Sequence, residues 1–497
     1  IINQEKEQFL EEKLTHETQN LNIKKRTFLS HYSTILHGQS AGDNFLFNRF
    51  FWEIQEFNHM WEFYQTGPEY NAEYSGRSQI IMWENESGKM FKLADSVKHL
   101  NHKAQQWRSG KPNWGKKGIA VGLLGKIIGT IYSGNIYSQS CGVIIPNEPR
   151  LLGPIWQFVY SSEFEKNLRL VDPSLAVSIK TLLSAPFDVD YWTNEYKLHY
   201  PNGLPKPYSN DPTQWIFHGH PVKTNIPLQI AIARLLDYKW PAESNAELEL
   251  SDETIELVKE IKRFDNLSDN DGIICIPSVN TEETAANRLR DYLKEVFGKE
   301  WKNDSINRLL GIENARSTNI DSWLRNEFFV QHCKVFGNRP FIWHIWDGRN
   351  DGFSVLLNYH KLTKENLSKL TYTYLGDWIR MCEAKKKAGE SGAEGLLSAA
   401  LKLKEKLELI LEGETPYDIF VRWKPLEQQP IGWDPDLNDG VRLNIRPFIE
   451  ADVLRKRPNI KWGIDRGKNP PGSPWGEIRD NDRHLTLAEK KAARGKL

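Results

Sequence analysis

Between Gly118 and Pro146 the chain is a series of short apolar runs, each cut by glycine: GIAVG, GKIIGTIY, GNIY and CGVIIP. Runs this short, rich in Ile and Val, fit β-strands and leave no room for a helix of useful length. The same glycines exclude a membrane span. The longest apolar candidate, Ile119 to Ile136, is interrupted by Gly122, Gly125, Lys126, Gly129 and Gly134, whereas a span needs roughly 18 or more consecutive apolar residues. Elsewhere the apolar spacing is helical. PLQIAIARLLDY, with Pro227 in its first turn, TAANRLRDYLKEVFG and DSWLRNEFFVQHCKVF each predict a helix. Residues 362–413 predict a helical stretch striped by Leu396, Leu397, Leu401, Leu403, Leu407 and Leu411. ELELSDETIELVKEIKRF predicts a mostly helical segment whose carboxylates form a solvated face. RPFIWHIWDG and GFSVLLNYHKL, on either side of Asp347–Gly352, predict a β-hairpin.

Less regular stretches give further expectations. Residues 1–50 read as helix on Phe9, Leu10 and Leu14. SQIIMWENESGKMF reads as a strand pair turning at Glu86-Ser87-Gly88, IWQFVYSSEFEKNLRLV as one helix, and VSIKTLLSAPFDVDYW as strand and loop. No region alternates strand and helix long enough to build a doubly wound sheet. The expected class is α+β and multi-module, with mixed β elements, a helical spacer and no complete Rossmann domain. Expected boundaries are a helical lead-in at 1–49, an α+β module at 50–240, an acidic helical insert at 241–330, a hairpin-plus-spacer module at 331–440 and a basic Pro/Gly-rich tail at 441–497.

With 18 Trp, 17 Tyr and 22 Phe in 497 residues, the chain is too aromatic to be disordered over most of its length. Its 65 Lys and Arg balance 65 Asp and Glu, which excludes a uniformly basic nucleic-acid coat and a polybasic membrane binder but leaves a local basic face open. Four widely spaced cysteines without a C-x-x-C fit reduced thiols in a cytoplasmic protein. The charged opening IINQEKEQFLEEKL is not a signal peptide, and a start at Ile1 reads as a piece of something longer.

Catalytic motifs are weak. Asn469-Pro470-Pro471-Gly472 lacks the aromatic that would stack on a flipped base. The run from Gly118 to Lys126 fails the phosphate-loop template, because Ile127 stands where Ser or Thr should follow the Lys. His218-Gly219-His220 could form half a metal site, but two hydrogen-bonded loop histidines explain it better. No catalytic residue and no metal site is assigned. Basic residues interleaved with aromatics are the better signal. Trp107, Arg108, Lys111, Trp114, Lys116, Lys117 and Lys126 form one cluster, in which cations neutralise phosphates or read guanine and Trp stacks. The tail from Val441 carries 14 Lys and Arg against 7 Asp and Glu, including Arg442, Arg446, Arg455 and Arg457. Arg349, at the hairpin turn, is a third candidate, with a salt bridge to Asp347 or Asp351 as an equal alternative.

Long strings resemble the C-terminal, target-recognition half of large N6-adenine DNA methyltransferases, the fused type IIG-like enzymes and the methylases of BREX- and DISARM-type phage defence. They include WEFYQTGPEYNAEYSG, YPNGLPKPYSNDPTQWIFHGHP, NRPFIWHIWDGRNDGFSVLLNYHKL and LNDGVRLNIRPF. The resemblance spans about 50–497. It implies that a catalytic half carrying the S-adenosylmethionine loop lies outside this sequence, and that no cofactor is held here. Double-stranded DNA, that methyltransferase half and other defence subunits are the implied partners. The alternative is a protein-interaction module using the aromatic surface and the acidic 240–270 segment.

Overall fold

The computed structural model describes residues 27–54, 57–99, 102–462 and 483–495. They pack as two compact units that interleave along the chain. One takes in 27–42, 62–81 and 90–207, the other 43–61, 82–89 and the chain from 208 on. The class is mixed α+β, and no doubly wound sheet occurs among the described residues.

The first unit is built on a four-stranded antiparallel sheet in the order Ser33–His37, Cys141–Pro146, Gly118–Gly122, Gly129–Tyr132. Ile119 faces Ile144 across one ladder, and Ile35 faces Ile144 across the other. Two strand glycines have a packing reason. A Cβ on Gly129 would stand 2.3 Å from Val159 Cγ1, so the helix Leu152–Tyr160 lies directly on the sheet. A Cβ on Gly118 would stand 2.4 Å from the carbonyl oxygen of Ile144. Beside the sheet, Tyr64 and Gln65 pair in parallel with Ile136 and Tyr137.

Several local expectations are corrected here. From residue 27 the lead-in is not one helix: it holds the strand Ser33–His37, a four-residue helix at Asn44–Phe47 and the strand Asn48–Phe50. Phe9, Leu10 and Leu14 lie outside the described residues. SQIIM forms the strand Gln79–Met82, but its expected partner is the helix Lys89–Val97. Glu84, Asn85 and Glu86 all take positive φ there, and the Glu84 carboxylate accepts from the Lys89 N–H at 2.6 Å. VSIKTLLSAPFDVDYW contains two helix starts rather than a strand. The Ser178 hydroxyl caps Ile179–Leu183, and the Asp188 carboxylate caps Val189–His199. IWQFVYSSEFEKNLRLV divides at Ser161 into two helices, Leu152–Tyr160 and Ser162–Val171.

The second unit holds a three-stranded antiparallel sheet in the order Ile342–Trp346, Ser354–Asn358, Ile273–Cys275. The expected hairpin is present, with Trp343 opposite Leu357. DSWLRNEFFVQHCKVF splits at Glu327 into Ile320–Asn326 and Phe328–Val335. The leucine-striped region is interrupted at Gly389 and Gly392, both at positive φ, and its last helix, Ala393–Glu412, buries Ala400, Leu403, Leu407 and Ile410 while leaving Leu401 exposed. The acidic helix Asp252–Ile261 exposes Asp252, Glu253, Glu256 and Glu260.

Buried ionic contacts fasten the early segment 43–61 to residues 418–441 of the same unit. Arg422 meets both carboxylate oxygens of Asp43 at 2.7 Å, with each side chain 4% exposed. Arg49 donates to the carbonyls of Phe45, Asn48 and Asn438 and stacks over Trp61 and Trp423. Glu53 accepts from the Val441 N–H at 3.0 Å. Elsewhere Glu313 accepts from the N–H groups of Leu228 and Gln229, capping the helix Pro227–Leu235 from a distance in sequence.

Two predictions follow from these buried charges. Asp43→Ala removes the buried carboxylate that Arg422 meets and should cost on the order of 3 kcal/mol, whereas Asp43→Ala combined with Arg422→Met should cost less than the single change; urea unfolding of the two variants checks the order. Burial pushes the Glu313 carboxyl from 4.5 up to about 8. The folded chain holds a proton there that the unfolded chain releases, so this stabilisation is complete below pH 4.5 and disappears as pH rises through about 8. Relative to Glu313→Gln, the parent chain should lose stability as the pH of the urea titration rises from about 5 to about 9. Parallel curves would contradict the assignment.

Candidate nucleic-acid interface

Residues 96–147 contain no Asp or Glu, yet they carry Lys98, Lys103, Arg108, Lys111, Lys116, Lys117 and Lys126. In a chain of balanced charge, this is the longest stretch in which cations have no neighbouring carboxylate in sequence. The cations alone pointed to this stretch; the missing acids are as legible in the sequence as the lysines.

The structure makes a platform of this stretch. It begins with the turns His102–Arg108 and Lys111–Asn113, the second tied to the strand Cys141–Pro146 through Asn113 and Val143. Gly110 takes φ +80°, and a Cβ there would stand 2.6 Å from the Tyr137 ring, so only glycine lets the turn approach this closely. The buried Asn113 amide then donates to the Tyr137 hydroxyl at 3.1 Å and to the Val143 carbonyl at 3.3 Å. Next, the Gly115 N–H donates to the Gly134 carbonyl at 2.8 Å. Gly134, at φ +100°, would place a Cβ 2.9 Å from the Gly115 backbone. Trp114 packs half-buried against a core of Ala120, Tyr132, Tyr137, Cys141 and Val143. Trp107 is 3% exposed, edge-on to Phe91, with the Arg108 guanidinium 4.4 Å from its ring centroid.

The two tryptophans therefore anchor the loop, and Trp107 has no open face for a base. Arg108, Lys111, Lys116 and Lys117 stand exposed on the platform. Lys126 does not join them. It lies in the turn that follows the strand Gly118–Gly122, so that strand separates it from Lys117 along the chain.

In the second unit the candidate arginines divide by burial. Arg442 is buried over the Phe45 ring, donates to the Trp462 carbonyl, and its own carbonyl accepts from the Trp462 indole. Arg446 is buried too, donating to the Arg483 carbonyl and meeting His484 Nε2 at 2.8 Å. That contact helps seat the helix Leu487–Arg494, whose Lys490 reaches the carbonyls of Ile419 and Pro430. Neither arginine can reach a phosphate from this position. Arg455 stacks 3.9 Å from the Trp346 ring centroid and donates to Asn326. Arg457 is exposed, 3.9 Å from Glu450. Arg349 forms a two-pronged pair with Asp351 at 2.9 Å on each prong. Arg325, absent from the sequence candidates, donates to the Asn350 carbonyl and so stands beside the same turn; nothing in its helix sequence marks it out.

The histidine pair is structural. The His218 and His220 Nδ1 atoms accept from the N–H groups of His220 and Val222. Burial holds the rings neutral, with pKa values pushed down to about 3 and about 4. Among the described residues no group of three or more His, Cys, Asp or Glu is placed to hold a metal ion. The glycine-rich run from Gly118 is an antiparallel strand and its turn, as the glycines of a β element suggested. Asn469-Pro470-Pro471-Gly472 lies outside the described residues. No helix among them is long and apolar enough to cross a membrane.

Over 93 residues, 18% of this chain, the sequence is 27% identical to the adenine-specific methyltransferase PglX of Lacticaseibacillus casei (strain Zhang). Over 204 residues, 37% of the chain, it is 23% identical to the adenine-specific methyltransferase BrxX of Escherichia coli O9:H4 (strain HS). The chain is similar in part to adenine-specific methyltransferases. The matched stretches span only 8% and 16% of those relatives' lengths. No protein-family model matches the chain.

The platform's two pins make a prediction. Gly134→Ala adds a Cβ against Gly115 and should break the Gly115 N–H contact. Exchange of that amide with solvent should then quicken by about tenfold or more, as expected for local opening that costs about 1.4 kcal/mol less. Unchanged exchange would show that the loop is held some other way.

Proposed function

We propose that this chain is the DNA-binding, target-recognition portion of a site-specific adenine-N6 DNA methyltransferase that marks host DNA as self in restriction-modification or phage defence. The observation that carries the reading is the acid-free stretch 96–147, which sets Arg108, Lys111, Lys116 and Lys117 on one pinned loop. The partial similarity to two adenine-specific methyltransferases gives it direction.

The resemblance suggests a division of labour. Methyl transfer to a base amine requires a flipped base and S-adenosylmethionine, which belong to a methyltransferase half outside this sequence. This chain supplies phosphate contacts that fix register, and base-edge contacts that choose the site. The platform cations are the first contacts. Lys126 in the first unit, and Arg349, Arg455 and Arg457 in the second, are further candidate contacts. Trp107, Trp114, Arg442 and Arg446 act by holding their surroundings in shape. Long-range attraction by such cations speeds encounter with DNA and weakens with salt.

Binding to mixed-sequence duplex DNA across a salt series tests this. Affinity should fall steeply, with a log–log slope of about −0.9 per phosphate neutralised. Lys111→Gln, Lys116→Gln and Lys117→Gln combined should weaken binding and flatten the slope by about 2.7. An unchanged slope in the triple variant would remove the platform from the interface.

A further inference from the structure

The first unit also carries a cleft of about 470 Å³ whose chemistry is the opposite of the platform's. The pairing of Thr27 with Phe187 forms one wall: the Phe187 N–H donates to the Thr27 carbonyl and the Thr27 hydroxyl to the Phe187 carbonyl. The start of the helix Val189–His199 forms another, and the helix Ser162–Val171 a third. Tyr32, Phe187, Tyr191 and Trp192 line it with rings, Tyr32 edge-on to Phe187 and Tyr191 edge-on to Trp192. Among the described residues that line it, the ionisable groups are Glu163, Asp188 and Asp190, beside the Tyr32 and Tyr191 phenols, and none is Lys, Arg or His.

Asp188 is committed, because its carboxylate accepts from the N–H groups of Asp190 and Tyr191. Glu163 and Asp190 remain as exposed carboxylates beside the rings. The negative field is felt locally: Glu195, then burial and Glu163, raise the Tyr191 phenol above its ordinary value. Such a cleft repels phosphate. A neutral apolar occupant would strip water from carboxylates and return nothing to them. A cation satisfies both the ring faces and the acids. A guanidinium does so best, since it is planar, stacks on a ring and forks to carboxylates.

From this complementarity we infer that the cleft receives an arginine side chain of a partner polypeptide, held between the Tyr191 ring and the carboxylates of Glu163 and Asp190. The site is separate from the DNA reading and stands without it. It gives the chain a docking point for a basic protein segment, on a surface that DNA avoids.

Calorimetric titration of the full chain with N-acetyl-arginine methylamide, without DNA, tests the inference. Saturable binding near the millimolar range is expected for one desolvated cation. The isosteric N-acetyl-citrulline methylamide, which lacks the charge, should bind at least about tenfold more weakly. Glu163→Gln, Asp190→Asn and Tyr191→Ala should each weaken the arginine probe by about three- to tenfold. All three side chains are exposed, so the fold does not rest on them. Equal binding of the arginine and citrulline probes, arginine binding untouched by all three variants, or no saturable heat would overturn the proposal. Tighter binding of tetramethylammonium than of the arginine probe would overturn it in favour of a free quaternary ammonium ligand.

Discussion

The loop that presents Arg108, Lys111, Lys116 and Lys117 depends on one buried amide. Asn113 is the point where a strongly basic, solvent-facing segment enters the interior, and its side chain is satisfied there by Tyr137 and Val143. A buried amide left without partners is expensive, so this contact pins the segment as well as decorating it. Gly110 lets the turn come close enough to Tyr137 for the bond to form, and Gly134 lets the next turn close on Gly115. The order of cause runs from glycine to close approach, from close approach to a satisfied amide, and from there to a fixed array of charge. A fixed array loses less freedom on meeting a duplex than the same cations on a loose tail would.

The second unit uses its cations differently. Arg49, Arg422, Arg442 and Arg446 are buried, and each has a carboxylate, carbonyl or ring partner. Arg49 and Arg422 join segments hundreds of residues apart in sequence, such as Asp43 to Arg422. Ion pairs of this kind are weak sources of net stability, but removing one partner is costly. They set which segments meet. Overall neutrality of the chain thus conceals two populations, cations that hold the interior together and cations that face solvent.

Much of this was legible in the sequence. The alternation around Asp347–Gly352 gave the hairpin, the glycine-cut runs gave β-strands though not their pairing, and the apolar spacing gave helices such as Ala285–Phe297. The failures have physical causes. At Ser178 and Asp188 a side-chain cap outweighed an apolar run that reads as strand. At Glu84–Glu86 three left-handed residues turned the chain into a helix where a second strand was expected. The candidate contacts were located by composition, and composition cannot distinguish an exposed arginine from a buried one. Arg442 and Arg457 look alike in the tail, but Arg442 is under a ring and Arg457 is in solvent. Arg349 met the alternative weighed for it, a pair with Asp351. The interleaving of two units is invisible to linear boundaries, because it is set by long-range pairs such as Glu53 with Val441.

The most direct test of the central claim is lysine acetylation footprinting of the chain with and without saturating duplex DNA, read residue by residue by mass spectrometry. The account predicts that Lys111, Lys116 and Lys117 become protected together, while Lys259 and Lys299, far from the platform in sequence and on the acidic and helical parts of the second unit, stay reactive. Demonstrable DNA binding with the platform lysines as reactive as before would contradict it.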